Sequence, residues 1–151
     1  MRNDTFPNLV LGGDTEMDAQ AYRALYQESI DSPETFWGNQ AKERLTFFEM
    51  FKTVTSGSLE KGDVKWFEEA TLNVCYNCVD RHLETRADQT AIIWQGDEPS
   101  RLKRYNYQEL YESVCRFSNL LKKLNVKKGD RVCIYLPMIP EAVFAMLACA
   151  R

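Results

Sequence analysis

Apolar residues recur at helical spacing through the first part of this chain, and beyond about residue 88 short apolar runs and turn formers alternate with further helical stretches. Between Met17 and Ile30, the residues Ala21, Leu25, Tyr26 and Ile30 share one helical face. Ser32 is placed to cap a second helix with Pro33 in its first turn, and Phe36 and Trp37 are expected to begin its buried face. Leu45 to Phe51 fits either period, since its aromatic density suits a strand and the spacing of Phe47, Phe48 and Phe51 suits a helix; the reading leans to an extended segment. Ser56-Gly57 and Lys61-Gly62-Asp63 mark turns, after which Trp66-Phe67 anchors the chain. Asn73 is the expected cap of a helix running through Tyr76, Val79 and Leu83 and ending near Arg86-Ala87-Asp88-Gln89, where a change of domain is placed.

Past that point the pattern predicts a hairpin, with Ala91 to Trp94 and Leu102 to Tyr105 as its strands and Gly96, Asp97 and Pro99 in its turn. Asn106 and Glu109 form a capping-box pair ahead of a helix whose apolar face is Leu110, Val114, Phe117, Leu120, Leu121 and Leu124. Gly129-Asp130 turns the chain into Val132-Cys133-Ile134-Tyr135-Leu136, a continuous apolar run of the kind found in strands buried on both faces. Pro137 and Pro140 lead into a last, almost wholly apolar helix, Pro140 to Ala150. Strand, helix, strand, helix is how a parallel α/β sheet opens. Val132 to Ala150 is nearly uncharged, yet two prolines and Glu141 divide it, so no membrane span is expected.

That last helix stops at Arg151 with neither glycine cap nor turn, and a helix apolar round most of its circumference needs protein about it. The expectation is the front of something larger. At the other end, residues 1 to 16 hold Pro7, Gly12 and Gly13 with little periodicity and read as a flexible or loosely docked arm. The division expected is thus 1–16, 17–88 and 89–151.

Charge and cysteine usage narrow the classes. A net charge of -3 argues against a general binder of nucleic acid or anionic membrane. Lys122-Lys123 and Lys127-Lys128 are read as a solvated helix end, where cations suit the negative pole of the macrodipole. Acidic residues at 4, 14, 16 and 18 and the lack of a charged-then-apolar start point to the cytoplasm. Five cysteines, an odd number, imply no disulfide framework.

Candidate chemistry is sparse. Cys75 and Cys78 form a C-x-x-C pair with His82 at a spacing that could add a third ligand, but a structural zinc needs four and no second pair or other histidine exists. Cys78 and His82, four apart on one presumed helix, could touch, yet no orienting acid is evident. Asp80 and Arg81 read as a surface ion pair or part of a docking face, and Glu68-Glu69 as a solvated turn. The glycines are scattered, so no loop is in place to cradle phosphate.

Longer strings carry a resemblance. Pro33-Glu34-Thr35-Phe36-Trp37, Lys65-Trp66-Phe67, Leu72 through Leu83 and Ala91-Ile92-Ile93-Trp94 resemble the N-terminal region of AMP-forming acetyl-CoA synthetases. Tyr107-Gln108-Glu109-Leu110, Gly129-Asp130-Arg131-Val132 and Tyr135 through Arg151 continue in order and resemble the start of that family's adenylate-forming domain. The resemblance implies a mixed α/β fold: a helical N-terminal region followed by the truncated start of the adenylate-forming α/β domain.

It further implies a complete enzyme that uses ATP with magnesium and CoA to convert acetate into acetyl-CoA through acetyl-adenylate; propionyl relatives share similar front ends. The family's phosphate loop, acetate pocket, adenine-binding segments, hinge and catalytic lysine all follow the point equivalent to Arg151. No catalytic, cofactor-binding or metal residue is therefore nominated, and this stretch is expected to be inactive alone. An alternative is a non-catalytic binding or oligomerisation module that self-associates through the exposed edge of its last strand.

Overall fold

The computed structural model describes residues 9–11 and 15–151. The proposed flexible arm falls mostly outside the described residues; within them, β1 (Leu9–Leu11) pairs antiparallel with β2 (Thr15–Met17). The chain divides into two compact units, one comprising the residues through Leu45 with Phe51–Ala70, the other Thr46–Met50 with Thr71–Arg151.

In the first unit, Asp18 accepts a 2.7 Å hydrogen bond from the Ala21 N–H and so starts α1 (Ala19–Asp31). Ser32 joins it to α2 (Pro33–Arg44): its N–H donates to Glu28 O and its carbonyl accepts from Phe36 N. Its side chain makes no capping bond, so backbone groups and Pro33 carry the junction. The buried residues of α2 are Gly38 and Ala41, and Phe36 is half-buried, whereas Trp37 is exposed, which corrects the expectation for Trp37. The small residues are buried because Gly38 lies close against Val54, where an added Cβ would come within 3.1 Å of Val54 Cγ2.

A hairpin that the sequence pattern did not announce follows, β3 (Thr53–Ser56) with β4 (Lys65–Glu68), antiparallel. Its connection includes the expected turn residues Gly57 and Gly62, both at positive φ.

The second unit starts from extended residues around Glu49, which bridges Thr71 antiparallel, as the leaning to an extended segment anticipated. Asn73 caps α3 (Val74–Cys78) by accepting from Tyr76 N at 2.9 Å. The helix does not run on to Arg86. Val79, at φ -127° and ψ -65°, breaks it, and a single 3-10 turn (Asp80–His82) and α4 (Leu83–Arg86) complete the stretch. Val79 is fully buried beside Cys75, four residues before it, and its own N–H still bonds the Cys75 carbonyl before the backbone leaves the helix.

β5 (Thr90–Gln95) and β6 (Leu102–Asn106) form the predicted hairpin. Asn106 and Glu109 make the reciprocal capping box of α5 (Tyr107–Lys123), at 2.8 and 2.9 Å. That helix closes with Asn125 at φ +61°, Val126 N donating to Leu121 O and Asn125 N to Lys122 O, a Schellman arrangement that satisfies the last carbonyls. α6 (Pro140–Ala150) packs on α5. The core is one cluster: Cys75 and Val79 from the first segment, Leu110 and Val114 from α5, and Phe144, Leu147 and Ala148 from α6. Only one face of α6 is covered, for Met146 is 57% exposed.

Val132–Leu136 contradicts the expectation of a strand buried on both faces. It is irregular and open to solvent, with Tyr135 98% exposed. A strand exists only where a neighbour takes its N–H and C=O groups, and no described strand pairs with this run. The anticipated parallel sheet is accordingly absent among the described residues, whose sheets are antiparallel pairs. The mixed α/β class stands.

Candidate functional site

The polar groups drawn together from farthest apart in sequence lie in the second unit, where the segment 73–80 meets the end of α6. Asn73 does two tasks from one amide: its Oδ1 caps α3, and its Nδ2 donates to the Ala150 carbonyl at 2.9 Å. Asn77 fastens the same segment from the other side, its amide exchanging bonds of 2.8 and 2.9 Å with Thr46 N and O. Arg81 donates to Asn77 Oδ1 at 3.1 Å.

Asp80 pairs with Arg151, 71 residues along the chain, a partner that the sequence reading of Asp80 with Arg81 did not include. Arg151 Nη1 lies 2.8 Å from both carboxylate oxygens, 3.7 Å from Cys75 Sγ, and its guanidinium sits 5.1 Å from the centre of the Tyr111 ring. Burial opposes the charge on Arg151, but the Asp80 carboxylate, helped by the Cys75 sulfur, holds its proton more tightly than usual. Burial likewise pushes the Cys75 thiol up, with Arg151 pulling the other way, and the side chain packs in the core cluster as a small apolar residue. Tyr111 is raised by its hydrogen bond with Cys115.

The other sequence candidates lie apart in character. Cys75 is buried and Cys78 exposed, and the break at Val79 removes the continuous helix on which Cys78 and His82 would stack. His82 instead sets its ring 5.5 Å from that of Tyr107. Its pKa is lowered, first by burial and then by Arg81 and Arg86. Among the described residues, no three His, Cys, Asp or Glu side chains come together as a metal site would require. In the first unit, Glu68 belongs to β4 and accepts from Ser56 Oγ at 2.6 Å, which holds its carboxyl below the usual range, while Glu69 pairs with Lys52 in the open.

Lys122 near the end of α5 and Lys127 and Lys128 after it border a hollow of about 610 Å³ lined also by Val132, Ile134, Met146 and Ala148. Lys127 N donates to Asp130 Oδ2 at 2.7 Å, closing the turn beneath that rim. The lysines therefore edge a groove in addition to ending a helix. Sequence reasoning found Asn73 as a cap but missed its reach to the Ala150 carbonyl and the pairing of Arg151, whose local signal was only a cation at a helix end.

Family models match the chain in two adjoining stretches: that of the acetyl-coenzyme A synthetase N-terminus at residues 22–78 and that of the AMP-binding enzymes at residues 79–151. An acetyl-coenzyme A synthetase of Halorhodospira halophila is 56% identical over 138 residues, covering 91% of this chain and 21% of that protein. Acetyl-coenzyme A synthetase 2 of Pseudomonas aeruginosa is 54% identical over 130 residues, 86% of this chain and 20% of its own length. The acetyl-coenzyme A synthetase of Dictyostelium discoideum is 53% identical over 132 residues, 87% and 20% respectively. The chain thus spans about a fifth of the length of the relatives it matches. With the two models adjoining and together covering everything from residue 22 onward, the chain belongs to the AMP-forming acetyl-coenzyme A synthetase family and corresponds to its N-terminal region.

Proposed function

We propose that this chain supplies the N-terminal region of an acetate:CoA ligase and is catalytically silent alone. In the complete reaction an acetate oxygen attacks the α-phosphorus of ATP, pyrophosphate leaves, and the CoA thiol then displaces AMP from the acetyl-adenylate. The observation that carries this reading is the unbroken order of the two family matches, at 52–56% identity to proteins named acetyl-coenzyme A synthetase. Among the described residues no three His, Cys, Asp or Glu side chains come together, and α6 begins at Pro140 without a glycine loop ahead of it. No step of the chemistry is assigned to residues of this chain.

The same reading divides it at 1–16, 17–88 and 89–151 and places the protein in the cytoplasm; no described helix is long and apolar enough to cross a membrane. Acetate is preferred over propionate on the names of the relatives.

The test joins this chain to the remaining four fifths of the Halorhodospira halophila protein and measures acetate-dependent ATP–pyrophosphate exchange. Exchange by the chimaera and none by the 151-residue chain is the expected result. A folded but inactive chimaera overturns the reading, and exchange by the short chain overturns its silence.

A second reading, self-association, is favoured by the exposed run Val132–Leu136, whose unpaired backbone can accept a strand from another copy. Sedimentation of the 151-residue chain should then show a concentration-dependent dimer that disappears when Ile134 is replaced by Pro. A monomer at every concentration rules it out.

A further inference from the structure

We infer that Asp80 and Asn73 are positioning residues that set the last turn of α6 by holding Arg151 and the Ala150 carbonyl. Apolar burial of Phe144, Leu147 and Ala148 keeps α6 against α5, but burial is non-directional and leaves the rotation and sliding of a helix loosely specified. Hydrogen bonds and ion pairs are directional, and the ones that reach the end of α6 come from the segment 73–80. Asn73 Nδ2 takes the Ala150 carbonyl, and Asp80 takes the Arg151 guanidinium with both oxygens at 2.8 Å. Both anchors stand on a fixed base, for Asn73 also caps α3 and Asn77 ties the same segment to Thr46.

The ion pair is largely sheltered, its side chains 27% and 15% exposed, and it lies against Cys75 Sγ and the Tyr111 ring. In such a setting the pair is a better determinant of one geometry than of stability, because desolvation offsets much of the attraction. Asn73 lies in the stretch matched by the N-terminal family model, while Asp80, Ala150 and Arg151 lie in the stretch matched by the AMP-binding model. Of the two anchors, the bond from Asn73 to the Ala150 carbonyl joins one matched stretch to the other, and the Asp80–Arg151 pair lies within the second.

Two measurements test this. In the 151-residue chain, D80N should speed hydrogen exchange of the amides of residues 148–151 by about tenfold while leaving the middle of α5 unchanged. Unchanged exchange at the end of α6 overturns the inference, and this readout is independent of any activity. The second rests on the functional reading and uses the chimaera with the Halorhodospira protein. D80N should lower kcat of acetate-dependent exchange by about tenfold with KM for acetate little changed, since a small misplacement is felt without loss of a substrate contact. D80N combined with R151Q removes the uncompensated charge and should restore the melting temperature without restoring kcat. If kcat returns together with stability, the pair is structural only and the positioning role falls; an inactive parent chimaera instead counts against the functional reading and leaves the exchange result to decide.

Discussion

The two units of the molecule are held together by different physics. In the one made of residues through Leu45 and Phe51–Ala70, the buried residues among those described are Gly38, Ala41 and Phe51, while Tyr22, Tyr26 and Ile30 of α1 stand open. Its order comes from caps, turns, two short ladders and ring contacts such as that of Phe51 with Phe67. In the other, Cys75, Val79, Leu110, Val114, Phe144, Leu147 and Ala148 form one contiguous buried cluster. A region of the first kind is sensitive to backbone conformation and tolerant of side-chain change; a region of the second kind is the reverse.

The sharpest way to break that contrast is to open a cavity. Phe144 is buried and meets Tyr105 edge to face at 5.3 Å, so F144A should cost about 3–5 kcal/mol in urea unfolding of the second unit. A loss below about 1 kcal/mol would show that the cluster is not what holds this unit.

Next comes the backbone of the first unit. Gly57 has φ +78°, and an added Cβ would lie 2.3 Å from the Asp63 carbonyl oxygen. G57A should therefore cost about 2–3 kcal/mol, read by thermal unfolding. Gly62, at φ +68° with open space around it, isolates the conformational part, and G62A should cost only about 1 kcal/mol. Equal losses at the two glycines would mean that the steric contact with Asp63 contributes nothing.

Smaller again is the cap of α5. N106A removes the bond to Glu109 N and should destabilise by about 1 kcal/mol in the same urea titration.

The smallest effect is that of pH. Burial, then Arg81 and Arg86, lower the pKa of His82 in the folded state, so the unfolded chain binds its proton more readily. Its contribution is present in full above the ordinary histidine value of about 6.5 and is lost as pH falls from there through the folded pKa. The melting temperature of H82Q should consequently vary less between pH 7 and pH 5 than that of the parent, and an identical slope would remove His82 from the account.

What could be read from the sequence follows the range over which each interaction acts. The capping box of Asn106 and Glu109, the cap at Asn73 and the turns at Gly57 and Gly62 are settled within a few residues, and all of them are where the pattern put them. Val79 shows the limit: its spacing from Cys75 and its burial are those of a helical residue, yet the backbone leaves the helix there. Val132–Leu136 has the composition of a buried strand and lacks the neighbour that composition cannot specify. The candidate site was the least legible part, since the pairing of Asp80 with Arg151 joins positions 71 apart in the chain, whereas Arg81 lay adjacent and drew the reading to itself. The β3–β4 hairpin was missed for a related reason: its turn signals were visible but Thr53–Ser56 is too polar to stand out as a strand.

Trp94 gives this molecule a built-in optical probe. Its indole N–H donates to the Met138 carbonyl at 2.7 Å, and Lys103 lies 5.9 Å from its ring centre, while Trp37 and Trp66 belong to the other unit. With those two replaced by Phe, the remaining emission would come from a single indole tethered to the loop that follows the exposed apolar run. Its wavelength would then report, without any label, when that loop lifts away or gains a covering.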